Sequence, residues 1–517
     1  MTSKDLHPPQ DSELRSAWVA WAREAVDAGD WEGAAERWKA CIAKFGSKPE
    51  WEARIGTALL ELGRSSDAER IFTALAEKGF DDQSVHLGLA RVAMRAQDWE
   101  GALARLTNYR ASHPGAASGM TATVLLRLGR PDEAEAIWAG LLAEKPENRS
   151  FQLMHLRAGI EVARKKGLSA GDREYFVKRI DDIAVSPGDG AGAAQAASLF
   201  ELLGERRRVR DQLLQAVQLA GTLDQIDICF KTIPRRVEAN LQAQLLERLL
   251  SRVRTDWIVG KPLSPRALNI ELRLLLALEH FGEFEAIFDD VADRLPEAPD
   301  LKLLNAVRTR LRKPRHEIFA EPKIFGIGLS KTGTTSLSEA LSIVGIDSAH
   351  WFNPLTHRPI SDMDIFLFGA SGDTCISSRF EQLYYLYPNA KFILTKRDFA
   401  SWQQSYLSHH ARHHLESDLD GLRSLYDCED CPYGFPSSII QFSLYLNYEN
   451  LSDAFQAYEN RVRHFFSDKP AGKLLELDLF AGQGWPELCK FLERSVPDRT
   501  FPWVNKDAAP GASVRKG

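Results

Sequence analysis

The hydrophobic pattern changes character once along the chain. Up to about residue 310, apolar residues recur at three- and four-residue intervals, the mark of amphipathic helices. Beyond it, short apolar runs alternate with helical stretches, which predicts strands joined by crossover helices and hence a parallel sheet. Near the N-terminus a single motif returns four times: Gly29-Asp30-Trp31-Glu32-Gly33-Ala34, Gly63-Arg64-Ser65-Ser66-Asp67-Ala68, Gln97-Asp98-Trp99-Glu100-Gly101-Ala102 and Gly129-Arg130-Pro131-Asp132-Glu133-Ala134. The four alanines stand 34, 34 and 32 residues apart. A small residue lies twelve positions before each (Ala22, Gly56, Ala90, Ala122) and a large apolar one four after it (Trp38, Phe72, Leu106, Trp138). Small residues let two helices cross closely, and the large residue fills the gap beside the crossing.

This period and its small positions resemble the tetratricopeptide repeat. The resemblance implies an all-α solenoid over residues 11–150, behind a short lead-in at 1–10. Residues 151–310 keep the helical pattern without the strict period and read as degenerate repeats continuing the solenoid, with Ser186–Gly192 as a break. Such a curved array binds a protein or peptide partner; dimerisation or support of the second domain is the alternative. A short linker is expected at 311–322, an α/β domain at 323–505 and a tail at 506–517. The expected fold class is therefore α plus three-layer α/β.

Composition narrows the picture little. A formal charge of −6 carries no nucleic-acid signature. The six cysteines are too sparse over 517 residues for a disulfide framework, which points to a reducing, cytoplasmic setting. No stretch of 18 apolar residues suggests a membrane span, and the first ten residues lack the apolar core of a secretory signal.

The candidate chemistry begins at Gly328-Leu329-Ser330-Lys331-Thr332-Gly333-Thr334-Thr335-Ser336-Leu337, between the apolar run Ile324–Ile327 and an amphipathic segment. A glycine-bearing turn from strand to helix turns backbone N–H groups inward and adds the positive end of a helix dipole, a cradle for phosphate. The spacing is not that of a Walker loop: Thr334 stands where its lysine belongs, and Lys331 lies two residues before Gly333. A second strand-to-helix junction, Lys391–Lys396 leading into Arg397-Asp398, places an arginine where it can grip a phosphate with two parallel hydrogen bonds. Asp398 is a ready cap for the helix that follows.

Together the two junctions resemble the PAPS-dependent sulfotransferases. Lys-x-Gly-Thr-Thr-Ser at 331–336 is similar to their 5′-phosphosulfate loop, and Arg397 with Ser405 eight residues on to their 3′-phosphate site. A closing stretch, Gly484-Trp485 through Leu488-Cys489, Pro497, Phe501-Pro502 and Asn505, resembles that of bacterial members and reads as packing. The resemblance covers about 323–505. It implies transfer of the sulfonate of 3′-phosphoadenosine 5′-phosphosulfate (PAPS) to a hydroxyl or amine, without a metal. Ser330, Lys331, Thr332, Gly333, Thr334, Thr335, Ser336, Arg397 and Ser405 would bind the co-substrate, with Lys331 steadying the leaving oxygen.

Many cytosolic sulfotransferases carry a histidine about twenty residues before that arginine. Here the position holds Asp373-Thr374-Cys375. Asp373 is the first candidate base, His350 the second, with His357 behind them. The acceptor, whether protein, glycan or lipid-linked, is not written in these residues. Cys428-Glu429-Asp430-Cys431 reads as a loop, His409-His410 and His413-His414 as a basic helix face, and residues 407–440 as a lid over the acceptor site. Arg515-Lys516-Gly517 only echoes a 3′-phosphate motif. Two rival functions stay open on these residues: a nucleotide-dependent small-molecule kinase, and a non-enzymatic repeat protein with an inactive α/β domain.

Overall fold

In the computed structural model the described residues run from 14 to 503, with Pro9, apart from 28–29, 63, 81, 96–97, 114, 185–189, 234–238, 261–263, 292–299, 415–417 and 428–434. Most of the lead-in, the Cys428/Cys431 pair and the tail with Arg515 lie outside them. The chain forms two compact units, one of residues 1–225, 252–268 and 294–299, the other of residues 226–251, 269–293 and 300–517. No helix among the described residues is long and apolar enough to cross a membrane.

The first unit opens with four helical hairpins: Arg15–Asp27 with Trp31–Phe45, Pro49–Glu61 with Ser65–Glu77, Gln83–Arg95 with Trp99–Ser112, and Ser118–Arg127 with Pro131–Glu144. The periodic positions explain the packing. Ala34, Ala68, Ala102 and Ala134 are wholly buried, as are Ala22, Ala90 and Ala122. Phe72 is wedged between two glycines: a Cβ on Gly56 would come within 2.8 Å of its ring, and one on Gly88 within 2.5 Å. Further helices, Arg149–Lys165, Ala170–Ala184, Gly190–Leu202 and Arg206–Leu219, continue the array.

The repeated turns are closed in two ways. In the first and third hairpins an aspartate caps the second helix: Asp30 accepts from the Gly33 N–H at 2.9 Å and Asp98 from the Gly101 N–H at 3.1 Å. Any side chain on either glycine would collide with that carboxylate. In the other two hairpins an ion pair holds the same turn, Arg64 with Asp67 and Arg130 with Glu133. Asp98→Ala is expected to lower stability by about 1 kcal/mol, the usual worth of a side-chain cap, read as a lower urea midpoint.

The second unit is built on a five-stranded parallel sheet. Its strands are β1 (Ile324–Gly326), β2 (Ser348–His350), β3 (Ala370–Gly372), β4 (Lys391–Thr395) and β5 (Leu474–Leu477), in the order β2-β3-β1-β4-β5. Side chains alternate across it, as pleating requires. Phe325, Phe392 and Leu394 enter one core with Phe380, Trp402, Tyr406, Tyr445 and Tyr458. Ile324 and Ile393 enter the other with Leu337, Leu341, Trp485 and Leu488. Burial on both faces is why these strands read as unbroken apolar runs. The fold is thus an all-α repeat array followed by a three-layer α/β domain, as its pattern predicts.

Crossovers from β1 run to one side of the sheet and the connection to β4 to the other, so the crevice of this fold opens at the C-terminal ends of β1 and its neighbours. At the opposite end of β1, Lys323 is buried and donates to the Phe366 and Phe368 carbonyls at 2.7 and 2.6 Å. Burial, with Arg310 near it, pushes its ammonium down to about 7.

Helices before β1 belong to this unit too. Arg273, on the helix Pro265–Ala277, is buried and donates from Nε to the Leu355 carbonyl at 2.8 Å. Its Nη2 lies against His357 Nε2, its Nη1 is 3.8 Å from Asp227 and 3.5 Å from Asp300, and the Phe230 ring lies 5.3 Å from it. Arg358 Nη1 donates to the Ala277 carbonyl at 2.6 Å. The turn between β2 and β3 is therefore tied to helices whose sequence continues the degenerate repeats. The stretch 311–322 holds a short helix, Arg315–Phe319.

Candidate active site

From Gly326 the chain turns through residues 327–333 into the helix Thr334–Ile343. Lys331 (φ 69°) and Gly333 (φ 98°) both adopt left-handed backbone, which curls the turn tightly into the helix. For a lysine that conformation is strained, and such strain gathers at functional loops. Gly328 has no room for a side chain: a Cβ would overlap Thr395 Oγ1 and lie 2.6 Å from Thr332 Oγ1.

The loop is strutted from the far side of the sheet. Tyr458 donates to the Ile327 carbonyl at 2.5 Å and Ser377 to the Gly328 carbonyl at 2.8 Å. The Ser330 N–H donates to Tyr445 Oη at 3.1 Å, and Trp402 Nε1 to the Ser330 carbonyl at 2.8 Å. Thr332 turns inward, donating to the Leu329 carbonyl at 2.7 Å and meeting Thr395 Oγ1 at 2.6 Å. Burial raises the Tyr445 and Tyr458 hydroxyls well above their ordinary value, so both keep their protons.

Arg397 leaves the end of β4 beside this loop. Its Nη1 donates to the Lys331 carbonyl at 3.1 Å and its Nε to Ser401 Oγ at 3.0 Å, while its guanidinium lies 4.3 Å from the Phe480 ring centre. Burial lowers its pKa, opposed by Asp398. Asp398 caps the helix Phe399–His414, accepting from the Ser401 N–H at 3.0 Å. Ser405, buried, stands one helical turn beyond Ser401.

The two candidate bases meet. Register pairs His350, the last residue of β2, with Gly372, the last of β3, and Asp373 follows at once. His350 Nε2 is 3.0 Å from Asp373 Oδ2 and 3.0 Å from Thr334 Oγ1. Asp373 Oδ1 accepts from the Thr374 N–H at 2.6 Å. Its backbone, φ 85° and ψ −180°, lies where glycine is nearly alone. Trp351, after His350, is also left-handed at φ 54°.

Burial pushes the Asp373 carboxyl up, but the charge and hydrogen bond of His350, the Thr374 N–H and Lys331 outweigh it and bring it down to about 2 from 3.8. The unfolded chain therefore takes up this proton first. Asp373's stabilisation is whole above about pH 4 and is lost as the pH falls toward 2. Melting temperatures between pH 6 and pH 2.5 are expected to fall less steeply in Asp373→Asn than in the wild type.

Of the residues singled out in the sequence, Lys331, Thr334, His350 and Asp373 gather at the ends of β1, β2 and β3, with Arg397 adjoining at the end of β4. Ser330 and Thr332 have hydroxyls engaged in bracing the loop, Ser336 is buried, and Thr335 and Gly333 are half-buried at the helix start. His357 is turned to Arg273 instead. Tyr445, Trp402, Tyr458 and Ser377 carried no local signal. Ser401 did: it stands four residues after Arg397 on a capped helix. Among the described residues no group of three or more His, Cys, Asp or Glu is placed to hold a metal ion.

Residues 323–374 and 368–509 match the model of the sulfotransferase domain, and residues 19–84, 53–117 and 87–149 that of the tetratricopeptide repeat. The chain thus carries a sulfotransferase domain in its C-terminal region and tetratricopeptide repeats at its N-terminus.

Among solved structures, a tetratricopeptide repeat protein from Parabacteroides merdae ATCC 43184 is 13% identical, covering 56% of this chain and 96% of that one at a TM-score of 0.32. Naa15/Naa10 bound to HypK-THB is 10% identical (93% and 57% covered, TM-score 0.25). The P58(IPK) TPR domain is 11% identical (88% and 99%, TM-score 0.21). No curated protein matches the chain.

Proposed function

We propose that the C-terminal domain transfers the sulfonate group of PAPS to a hydroxyl or amine of an acceptor, and that the repeats bind a protein or peptide partner or the acceptor itself. The observation that carries the reading is the meeting of two candidate phosphate grips at adjacent strand ends: the loop 328–335, whose glycines allow its close packing, and Arg397, 3.1 Å from the Lys331 carbonyl. The stretch from Ser330 to Ser336 would surround the 5′ end, chiefly through the backbone N–H groups at the helix start. Arg397 and Ser405 would hold the 3′-phosphate, the arginine prepositioned by Phe480 and Ser401. Lys331 would steady the charge that develops on the oxygen leaving sulfur. Asp373 and His350 supply the groups that take the acceptor's proton.

Isothermal titration of the full chain with 3′-phosphoadenosine 5′-phosphate, in the presence of EDTA, tests this. Binding is expected there, with much weaker binding of adenosine 5′-phosphate, which lacks the 3′ group. Equal affinity for the two nucleotides, or a requirement for Mg²⁺ with ATP preferred, would favour a kinase-like site and overturn the proposal.

A further inference from the structure

We infer that the repeat array carries a slot for an acidic side chain of a partner peptide, formed by Arg127 and Arg157 on the helices Ser118–Arg127 and Arg149–Lys165. The inference rests on the reading of the repeats as a partner-binding array and names the chemistry that the array selects. Two equivalent junctions carry it. Glu61 ends the helix Pro49–Glu61, and Arg91 is the ninth residue of the helix Gln83–Arg95. The two form an ion pair, with Arg95 4.0 Å from the same carboxylate. Arg127 likewise ends its helix, and Arg157 is the ninth residue of the helix Arg149–Lys165. The separation is 30 residues in both cases. A carboxylate joins the helices at the first junction. The second sets two guanidiniums in the same places.

That positive charge is not answered from within the array. Among the described residues Arg127 meets only the Trp99 ring, 5.6 Å from its guanidinium, and Arg157 has no hydrogen-bond or ion-pair partner. Glu161 and Arg164 follow Arg157 by four and seven positions, on the same face of the helix. The Arg164 side chain is 5% exposed and lies 3.5 Å from Glu161. Its buried Nε has no partner among the described residues. Glu161 is thus the one carboxylate that the described residues set against three guanidiniums.

Arg127 is open to water, so a ligand can reach it. Crowding by protein atoms, and then the charge of Arg157, lowers its pKa from the ordinary arginine value. Holding like charges together costs free energy in the unbound array. A partner's carboxylate removes that cost and accepts charge-assisted hydrogen bonds from both forks. A carboxylate is named, rather than any anion, because Glu61 occupies the equivalent place at the other junction.

Selection from a random displayed peptide library on the full-length protein tests the slot. Enriched peptides are expected to share an aspartate or glutamate. A synthetic copy with asparagine or glutamine there should bind about 10-fold more weakly. Arg157→Ala should cost the acidic peptide a similar factor and the amide copy nothing. Arg127→Glu recreates the pairing of Glu61 with Arg91, so it should unfold at higher urea than Arg127→Gln while losing the peptide. Enriched peptides with no shared acid, or an acidic peptide whose affinity survives Arg157→Ala, overturn the inference and leave the repeats a peptide-binding array. An Arg127→Glu protein no more stable than Arg127→Gln overturns it as well. If no peptide is enriched, the peptide-binding reading of the repeats falls too. Should an Arg127 variant fail to fold, the titration of Arg157→Ala decides.

Discussion

Arg397→Ala is expected to weaken binding of 3′-phosphoadenosine 5′-phosphate about 30- to 4,000-fold, far more than its lost packing lowers the melting temperature. Arg397 is 4% exposed, its guanidinium set over Phe480 and anchored by the Lys331 carbonyl and Ser401. Its rotamer is fixed before any phosphate arrives, so little conformational entropy is lost on binding. Removing one member of a desolvated, hydrogen-bonded charge pair costs about 2–5 kcal/mol, and each 1.4 kcal/mol is tenfold in affinity. Arg397→Lys keeps the charge but not the fork, and should recover only a fraction of the loss. Titration calorimetry on the three proteins reads this directly. Wild-type affinity in Arg397→Ala would remove the arginine from the site.

The second large effect is expected at Arg273. Arg273→Met should destabilise the second unit by about 3 kcal/mol, the lower end of the range for breaking a buried charge pair, because Asp227 and Asp300 keep some of their contact with water. It also frees the Leu355 carbonyl and His357, which hold the turn that begins one residue after His350. Sulfonate turnover should therefore fall along with the guanidinium chloride midpoint, while affinity for 3′-phosphoadenosine 5′-phosphate, governed by β1 and β4, stays near the wild-type value. Loss of nucleotide affinity in step with turnover would argue that Arg273 serves only the general fold.

How much was written in the sequence follows from the range of each interaction. The repeats were legible because one packing rule recurs every 34 or so residues: Ala34, Ala68, Ala102 and Ala134 each report the same helix crossing. The loop at 328–337 was legible because strand, turn and helix are contiguous. Arg397 was legible as the residue at a strand's end. The partnership of His350 with Asp373 was not, since it depends on β2 lying beside β3 with a particular register, and no local pattern encodes register between short buried strands. The sequence thus offered as rivals two residues that share a hydrogen bond. Ser401 was passed over for Ser405 because a motif, not helix phase, guided the choice. Arg273 and the turn at 351–360 are about eighty residues apart, and only the folded chain joins them.

The struts beneath the loop at 327–333 have a consequence for the order of events on the ribosome. Each tetratricopeptide hairpin completes its contacts within some tens of residues and can fold as it emerges. The loop at 327–333 cannot: Trp402 is 72 residues beyond Ser330, Tyr445 115 beyond it and Tyr458 131 beyond Ile327. A nascent chain stalled near residue 440 would display a finished repeat array joined to a loop still without Tyr445 and Tyr458. The repeat array can therefore be complete, during synthesis, before the crevice at the strand ends exists.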